Sequence, residues 1–368
     1  MKAITSKFTD FYIRFEKYIS AVGLIYGFIF TTLTLTRIDR PLEIFWIVVH
    51  LLLAASGILV VTAYENRAKS RNLPEERQHK FKFYLTLVIQ FAFGGLFSTF
   101  FVFYMRSSSF TESWFFLLIL IILLVGNELW KKHYLRLAFQ VTVLFLSIYL
   151  FLIFFLPVIF HRLGDDLFIR SGILSLVLVA FFTRLLRRLA SEKFKNSHHA
   201  LRTSVLSVFV LMNVLYFTNV IPPIPLSLKN VGAYHYIKKT TDGNYEAQVE
   251  PTSWRDYFTR YPTLHYELGE TIYAFSAVFS PVKFSTEIIH QWQYFDEDKQ
   301  DWVDSSRITL PIIGGRDGGF RTYSTKYGAK TGLWRVKVMT TTGQVIGRIN
   351  FKLERARPDS VILNRVTL

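Results

Sequence analysis

Residues 83–105 read FYLTLVIQFAFGGLFSTFFVFYM, without one acidic or basic side chain. A helix of that length rises about 35 Å at 1.5 Å per residue, which exceeds the ~30 Å hydrocarbon core of a bilayer. Such a run has no face to offer water, so it is read as a membrane span. Similar runs recur near 18–36, 43–64, 112–129, 137–160, 168–186 and 202–221. The expectation is a seven-span α-helical bundle over residues 1–225. Composition agrees: 51% of the 368 residues are hydrophobic and 36 are phenylalanine, above the usual apolar share of a soluble protein.

The net charge of +16 would suit nucleic acid if it were spread over a folded surface, but it is segregated. Nineteen lysines and arginines lie in the N-terminal segment and in every second connection, among them Lys2, Arg14, Arg67, Lys80, Lys131, Arg136, Arg187 and Lys195. The remaining connections hold five: Arg37, Arg40, Arg106, Arg162 and Arg170. Basic loops stay cytoplasmic, so the N-terminus is expected inside, and seven crossings put the C-terminus outside. Once this topological charge is set apart, nucleic acid loses its support as a partner, and anionic lipid headgroups along the inner face replace it. Without cysteine, thiol chemistry and Cys-based metal sites are excluded.

Polar groups inside spans are costly and therefore informative. His50, Gln90, Gln140 and Asn213 are the candidates, read as interhelical hydrogen bonds or, alternatively, as the lining of a transport path. Gly94 and Gly95 mark close helix approach.

Beyond VIPPIPLSLKN (220–230) the pattern changes. Three prolines end the seventh helix, and aromatic or β-branched residues then alternate with polar ones between turn signals. Strands are expected near 231–238, 271–280, 286–295, 306–313, 320–326, 333–340 and 344–354, with a short helix at SWRDYFTRY (253–261). Seven short strands without βαβ spacing imply an all-β, immunoglobulin-like antiparallel sandwich over residues 226–368. In HQWQYF (290–295) the period of two puts Ile288, His290, Trp292 and Tyr294 on one face and Gln291, Gln293 and Phe295 on the other. Trp292 is read as inward, the glutamines as solvent-facing, and His290 as a partly buried ring needing a partner. The alternative makes that face a binding site. In the hairpin 334–353, Trp334, Val336 and Val338 oppose Arg335 and Lys337. After the Gly343 turn, Val345, Gly347, Ile349, Phe351 and Leu353 oppose Ile346, Arg348 and Lys352.

These segments resemble a bacterial family catalogued as domain of unknown function 2914. The pattern is carried by His290 and Trp292; by Arg321, Ser324 and Lys326; and by Gly332, Trp334, Arg335 and Val336. The likeness spans about residues 270–353 and brings no established activity. It implies a Gram-negative inner-membrane protein with this domain in the periplasm.

GGRDGG (314–319) has neither the spacing nor the strand-to-helix context of a phosphate loop. Arg316, Arg321, Lys326, Arg335, Lys337 and Arg348, with His290, Trp292 and Ser324, form the candidate binding surface, since guanidinium groups suit phosphate or carboxylate. No Ser-His-Asp order, metal-ligand cluster or carboxylate pair stands out, and no cofactor is expected. The leading expectation is a non-enzymatic inner-membrane protein whose sandwich binds or scaffolds an envelope protein, anionic glycan or anionic lipid. A flippase or transporter is the alternative, and an envelope enzyme using His290 the second.

Overall fold

A chain segment out of reach of water must satisfy its own N–H and C=O groups, and the helix does so within one segment. The computed structural model describes residues 26–368 except 27, 36–37, 71–73, 109, 130–135, 252–258, 268, 282–283, 316–317 and 357–360. Helix α1 is described at 28–34. It is followed by α2 (Pro41–Ser70), α3 (Glu75–Arg106), α4 (Phe110–Leu129), α5 (Leu137–Phe160), α6 (Asp165–Leu189) and α7 (Ser191–Phe217).

Among the described residues five stretches are long and apolar enough to cross a membrane: Pro41–Ala68, Phe81–Arg106, Leu137–Phe160, Asp165–Leu189 and Phe194–Phe217. The run at 112–129 lies on α4, whose apolar part, Ser113–Asn127, is shorter. The run at 18–36 falls mostly outside the described residues, as do Arg316 and most of the expected helix at 253–261.

Contacts divide the chain into two units. The first holds the helices. Its α5 is two-thirds buried while α7 is 22% buried, so α5 is the enclosed element and α7 carries apolar surface outward. The all-apolar sequence of α5 follows from that position. The prolines do not end α7. Asn219 adopts φ 58°, its N–H bonds the Tyr216 carbonyl, and the Val220 N–H bonds that of Leu215. That is a Schellman cap with asparagine in the left-handed position.

The second unit comprises Ile221–Leu368 with Arg106–Ser113 and Val158–Gly164. Its strands are β1 (Ser227–Tyr234), β2 (Tyr236–Lys239), β3 (Tyr245–Val249), β4 (Thr263–Tyr266), β5 (Thr271–Phe279), β6 (Ser285–Asp296), β7 (Asp301–Ile313), β8 (Phe320–Tyr327), β9 (Gly332–Thr340), β10 (Val345–Arg355) and β11 (Asn364–Thr367). They form three sheets, ordered β4-β10-β9-β6-β7, β1-β5-β8 and β11-β3-β2. Every pairing is antiparallel except β4 with β10. Strands β3, β4 and β11 were not legible in the sequence, and the stretch expected as one strand at 231–238 is broken at His235 into β1 and β2.

The five-stranded and β1-β5-β8 sheets pack face to face. Ile272 and Ala274 of β5 meet Trp292, Trp334, Val336 and Phe351 in one cluster. Val278, Phe284, Ile288, Val338 and Ile346 form a second, against which Leu163 packs. The small sheet covers the other face of β5, where Phe275 and Ala277 join Tyr234, Ile237 and Ala247. Covered on both sides, β5 reads as a near-continuous apolar run.

A β-bulge lies between Val345 and Gly347. It turns Ile346 into the core, where it is 1% exposed, and corrects the strict alternation expected for β10. An extra residue bends the strand and re-aims the side chains beyond it.

At Gly314, where β7 ends, a Cβ would fall inside the van der Waals envelope of the Pro281 carbonyl oxygen. The Gly314 N–H meanwhile holds the Phe284 carbonyl at 2.7 Å. Backbone on both sides cannot yield as a side chain would. Gly314→Ala is therefore expected to cost about 1–3 kcal/mol, seen as a lower midpoint for loss of the near-UV signal of the solubilised chain.

Candidate functional site

Strand β6 lies between β7 and β9, so one of its faces must enter the sandwich. Ile288, His290 and Trp292 do so, each 0% exposed. The opposite sheet meets them with small polar residues. Nε2 of His290 lies 2.8 Å from the Ser276 hydroxyl on β5, and Nδ1 lies 2.8 Å from the Ser324 hydroxyl on β8. Trp292 Nε1 donates to the same Ser324 oxygen at 2.9 Å. Burial pushes the His290 pKa down to about 4, so the ring is neutral at ordinary pH.

Three residues of the family-like pattern, His290, Trp292 and Ser324, thus come together, as a packing device. His290, Trp292 and Ser324 are buried, which removes them from the expected binding surface. A histidine closed between sheets cannot reach a substrate, so the enzyme alternative loses its base. Lys326 donates to Ser306 at 3.5 Å. Arg321 donates to Asn244 Oδ1 at 2.8 Å and lines a shallow cleft of about 300 Å³ with Asp242, Gly243, Gly318 and Gly319. Both are thus engaged with residues other than His290.

The other face of the five-stranded sheet is polar. Gln291 and Gln293, expected in solvent, are only 5% and 6% exposed. Asp304 explains their order. A bulge between β6 and β7 brings Asp304 and Arg307 to the same side, with Arg307 donating to the carboxylate at 3.0 Å. The amides of Gln291 (2.8 and 2.7 Å) and Gln293 (2.5 Å) donate to it as well. These bonds, that from Gln293 first, hold the Asp304 pKa below the usual carboxylate range.

With its nitrogen so engaged, Gln293 turns Oε1 to Arg335, whose Nε donates at 2.6 Å. The guanidinium of Arg335 lies over Trp302, 4.1 Å from the ring centroid, a cation–π geometry. Lys337 sits opposite Gln291 on one side and Arg348 on the other. Burial first, then the neighbouring Arg335, lowers the Lys337 pKa. This face therefore gathers Arg307, Arg335, Lys337 and Arg348, three of which were expected on the basic surface.

Sequence reading missed a second polar cluster. His235, at the break between β1 and β2, is 4% exposed and bonds Glu270 at 2.6 Å and Glu250 at 3.1 Å. Glu250 also bonds the His265 ring at 2.7 Å and its N–H at 2.6 Å. Burial pulls the His235 pKa down most, but the bonds to both glutamates and their charges together outweigh it, and the net shift is upward. No motif marks these residues, which lie up to 35 positions apart. Among the described residues no group of three or more such side chains is arranged to hold a metal ion.

In the helical unit the polar candidates make local bonds. Gln90 and Asn127 exchange amide-to-carbonyl hydrogen bonds at 3.4 and 3.0 Å between α3 and α4, and a Cβ on Gly94 would approach Asn127 to 3.1 Å. His50 Nδ1 donates to the Trp46 carbonyl at 2.8 Å, with its ring against Gly95. Asn213 donates to the Phe209 carbonyl at 2.8 Å and to the Tyr149 hydroxyl at 3.4 Å. Gln140 is buried in α5. Of these bonds, the Gln90–Asn127 pair and Asn213–Tyr149 join two helices, whereas those to Trp46 and Phe209 stay within one.

The buried serines and histidines of the β unit set its response to mutation and to pH. Ser324→Ala strips a partner from both His290 and Trp292, and unsatisfied buried groups cost about 1–3 kcal/mol each. It should lower the unfolding midpoint more than the same change at Ser276, which serves His290 alone. The pH dependence has two limbs of opposite sign. The unfolded chain binds a proton at the His290 position near pH 6.5 and the folded one only near 4, so stability falls as pH drops through that window, by about 3 kcal/mol at most. The raised pKa of His235 works the other way: its contribution is complete below pH 6.5 and fades as pH rises through the folded value. A denaturant titration at several pH values should show a maximum between the limbs, and His235→Gln should flatten the alkaline limb.

No curated protein matches the chain. Solved structures similar to it include an immunoglobulin-like protein from Pseudomonas aeruginosa, 11% identical over 24% of this chain and 74% of that one, with a TM-score of 0.18. A beta-glucosidase from Listeria innocua is 11% identical over 31% of this chain but 16% of its own length, with a TM-score of 0.19. An alkylpurine DNA glycosylase from Pseudomonas fluorescens is 11% identical over 86% and 99%, with a TM-score of 0.22. At these scores the likenesses carry no argument about fold or function. Residues 285–353, which run from the start of β6 into β10, match the family described as "Protein of unknown function (DUF2914)", and the chain therefore carries that module in its C-terminal part.

Proposed function

We propose that the chain is a bacterial inner-membrane protein with seven spans, a cytoplasmic N-terminus and a periplasmic, immunoglobulin-like β region that binds or scaffolds an envelope partner without catalysing a reaction. The placement rests on the segregation of lysine and arginine between alternate connections.

The observation that carries the binding role is the outer face of the five-stranded sheet. Arg335 is fixed in place by Gln293 and Trp302, and Gln293 in turn by Asp304. Side chains held in this way lose little freedom when a partner arrives, which favours affinity. The transporter alternative is left without an observation of its own, since Gln90 is engaged by Asn127 and His50 by Trp46.

Two measurements test the proposal. A phosphatase that is active only outside the cytoplasm, fused behind Leu368, should be active, and an inactive fusion would reverse the topology. A photoreactive residue placed at position 348 in native membranes should capture a discrete species. Crosslinking to bulk phospholipid alone would end the scaffold reading.

A further inference from the structure

We infer that the outer face of the five-stranded sheet is a binding site for an anionic polysaccharide, with Lys337, Arg335 and Arg307 taking the carboxylates and the carbonyl oxygen of Gln291 positioned for a sugar hydroxyl. The inference rests on the binding role proposed above and names the ligand chemistry of the same face.

The face has positive charge to spare. Asp304 is occupied by two amides and by Arg307, and its neighbour Asp301 is the other carboxylate felt by Arg335. Among the described residues Lys337 Nζ has no hydrogen-bond or ion-pair partner, and Arg335 uses only Nε, toward Gln293. The terminal nitrogens of Arg335 and the Lys337 ammonium remain as donors for an oxyanion.

The cations are also spaced in a row. Arg307 faces Gln291 across β7 and β6, Gln291 faces Lys337 and Lys337 faces Arg348. This row runs across four strands about 4.8 Å apart. A cationic row of that length fits a polymer with a charge on successive sugars better than a single phosphate.

Between the cations the background is polar and ordered. Gln291 and Gln293 are almost fully buried in the sheet surface, and their amide nitrogens are tied to Asp304, which directs their carbonyl oxygens and leaves that of Gln291 for a hydroxyl donor. Trp302, carrying Arg335 on its ring and stacked with Tyr261, holds that guanidinium in place beside them. Fixed cations with a fixed acceptor between them suit an acidic sugar bearing hydroxyls.

The test uses the full chain in phosphatidylcholine nanodiscs with polygalacturonate as the acidic probe and dextran as the neutral one. Polygalacturonate should bind, dextran should not, and added salt should weaken binding as screening requires. Lys337→Gln should weaken binding about tenfold, equivalent to ~1.4 kcal/mol, while Lys337→Arg should stay within about twofold, since the charge is kept. Arg307 is exposed, so Arg307→Gln tests the face without disturbing the core and should also lower affinity. Equal binding of dextran, unchanged affinity in both charge-removing variants, or retention only on phosphatidylglycerol vesicles would overturn the inference. A protein captured at position 348 with no polygalacturonate binding would leave the scaffold role standing and remove the polysaccharide alone.

Discussion

A neutral imidazole bridging two serine hydroxyls across the sandwich is the constraint on which the β unit depends. His290 is 0% exposed with two ring nitrogens to satisfy, and among the described residues Ser276 and Ser324 do so. Leaving either unpaired would cost about as much as a sizeable share of a small domain's stability. The demand sets the relative phase of three strands. Because side chains alternate, a slip of one residue in β5 or β8 would carry its serine to the far face and strand the histidine. Apolar residues accept many registers of similar energy; this polar triangle accepts one. Trp292 tightens it by donating to the same Ser324 oxygen while stacking edge-on against Trp334 and Phe351.

The two faces of β6 are therefore specified by different physics. The inner face is fixed by satisfaction of a few polar atoms in an otherwise apolar core. The outer face is fixed by one carboxylate, Asp304, which a bulge brings to the same side as Arg307. Without the extra residue, Arg307 would continue the alternation toward the core and Asp304 would lose its partner. A local irregularity of pairing thus converts a plain polar sheet surface into an ordered ladder running through Gln293 to Arg335 and Trp302.

Much of the architecture was legible because it is periodic. Apolar runs near bilayer length and the period-two pattern of 286–295, 333–340 and 344–354 each repeat a signal over many residues. The features that escaped the sequence depend on single events. The bulge at Val345 moved Ile346 inward; the strands β3 and β11 are short and cover a sheet face that sequence alone gives no reason to think covered. The glutamines looked like solvent residues because amides are usually exposed, and only the distant Asp304 makes their burial acceptable. His235 gave no signal at all, since its partners Glu250 and Glu270 come from separate turns and meet it only in the folded chain.

These two histidines show why residue type says little without surroundings. His290 is wrapped by hydroxyls and hydrocarbon, which stabilise a neutral ring, and its pKa falls. His235 is also largely hidden from solvent, yet two carboxylates face it and its pKa rises. Burial is the largest influence on both, and it acts in the same direction on both. The sign is decided by whether the neighbours bring negative charge: at His235 they do, from Glu250 at the end of β3 and Glu270 in the turn before β5, so the ring ties both segments to the break between β1 and β2. At His290 a positive ring would have no counter-charge, and the sandwich would have to open to hydrate it. One domain thus holds a histidine that acid would expel and another that acid secures.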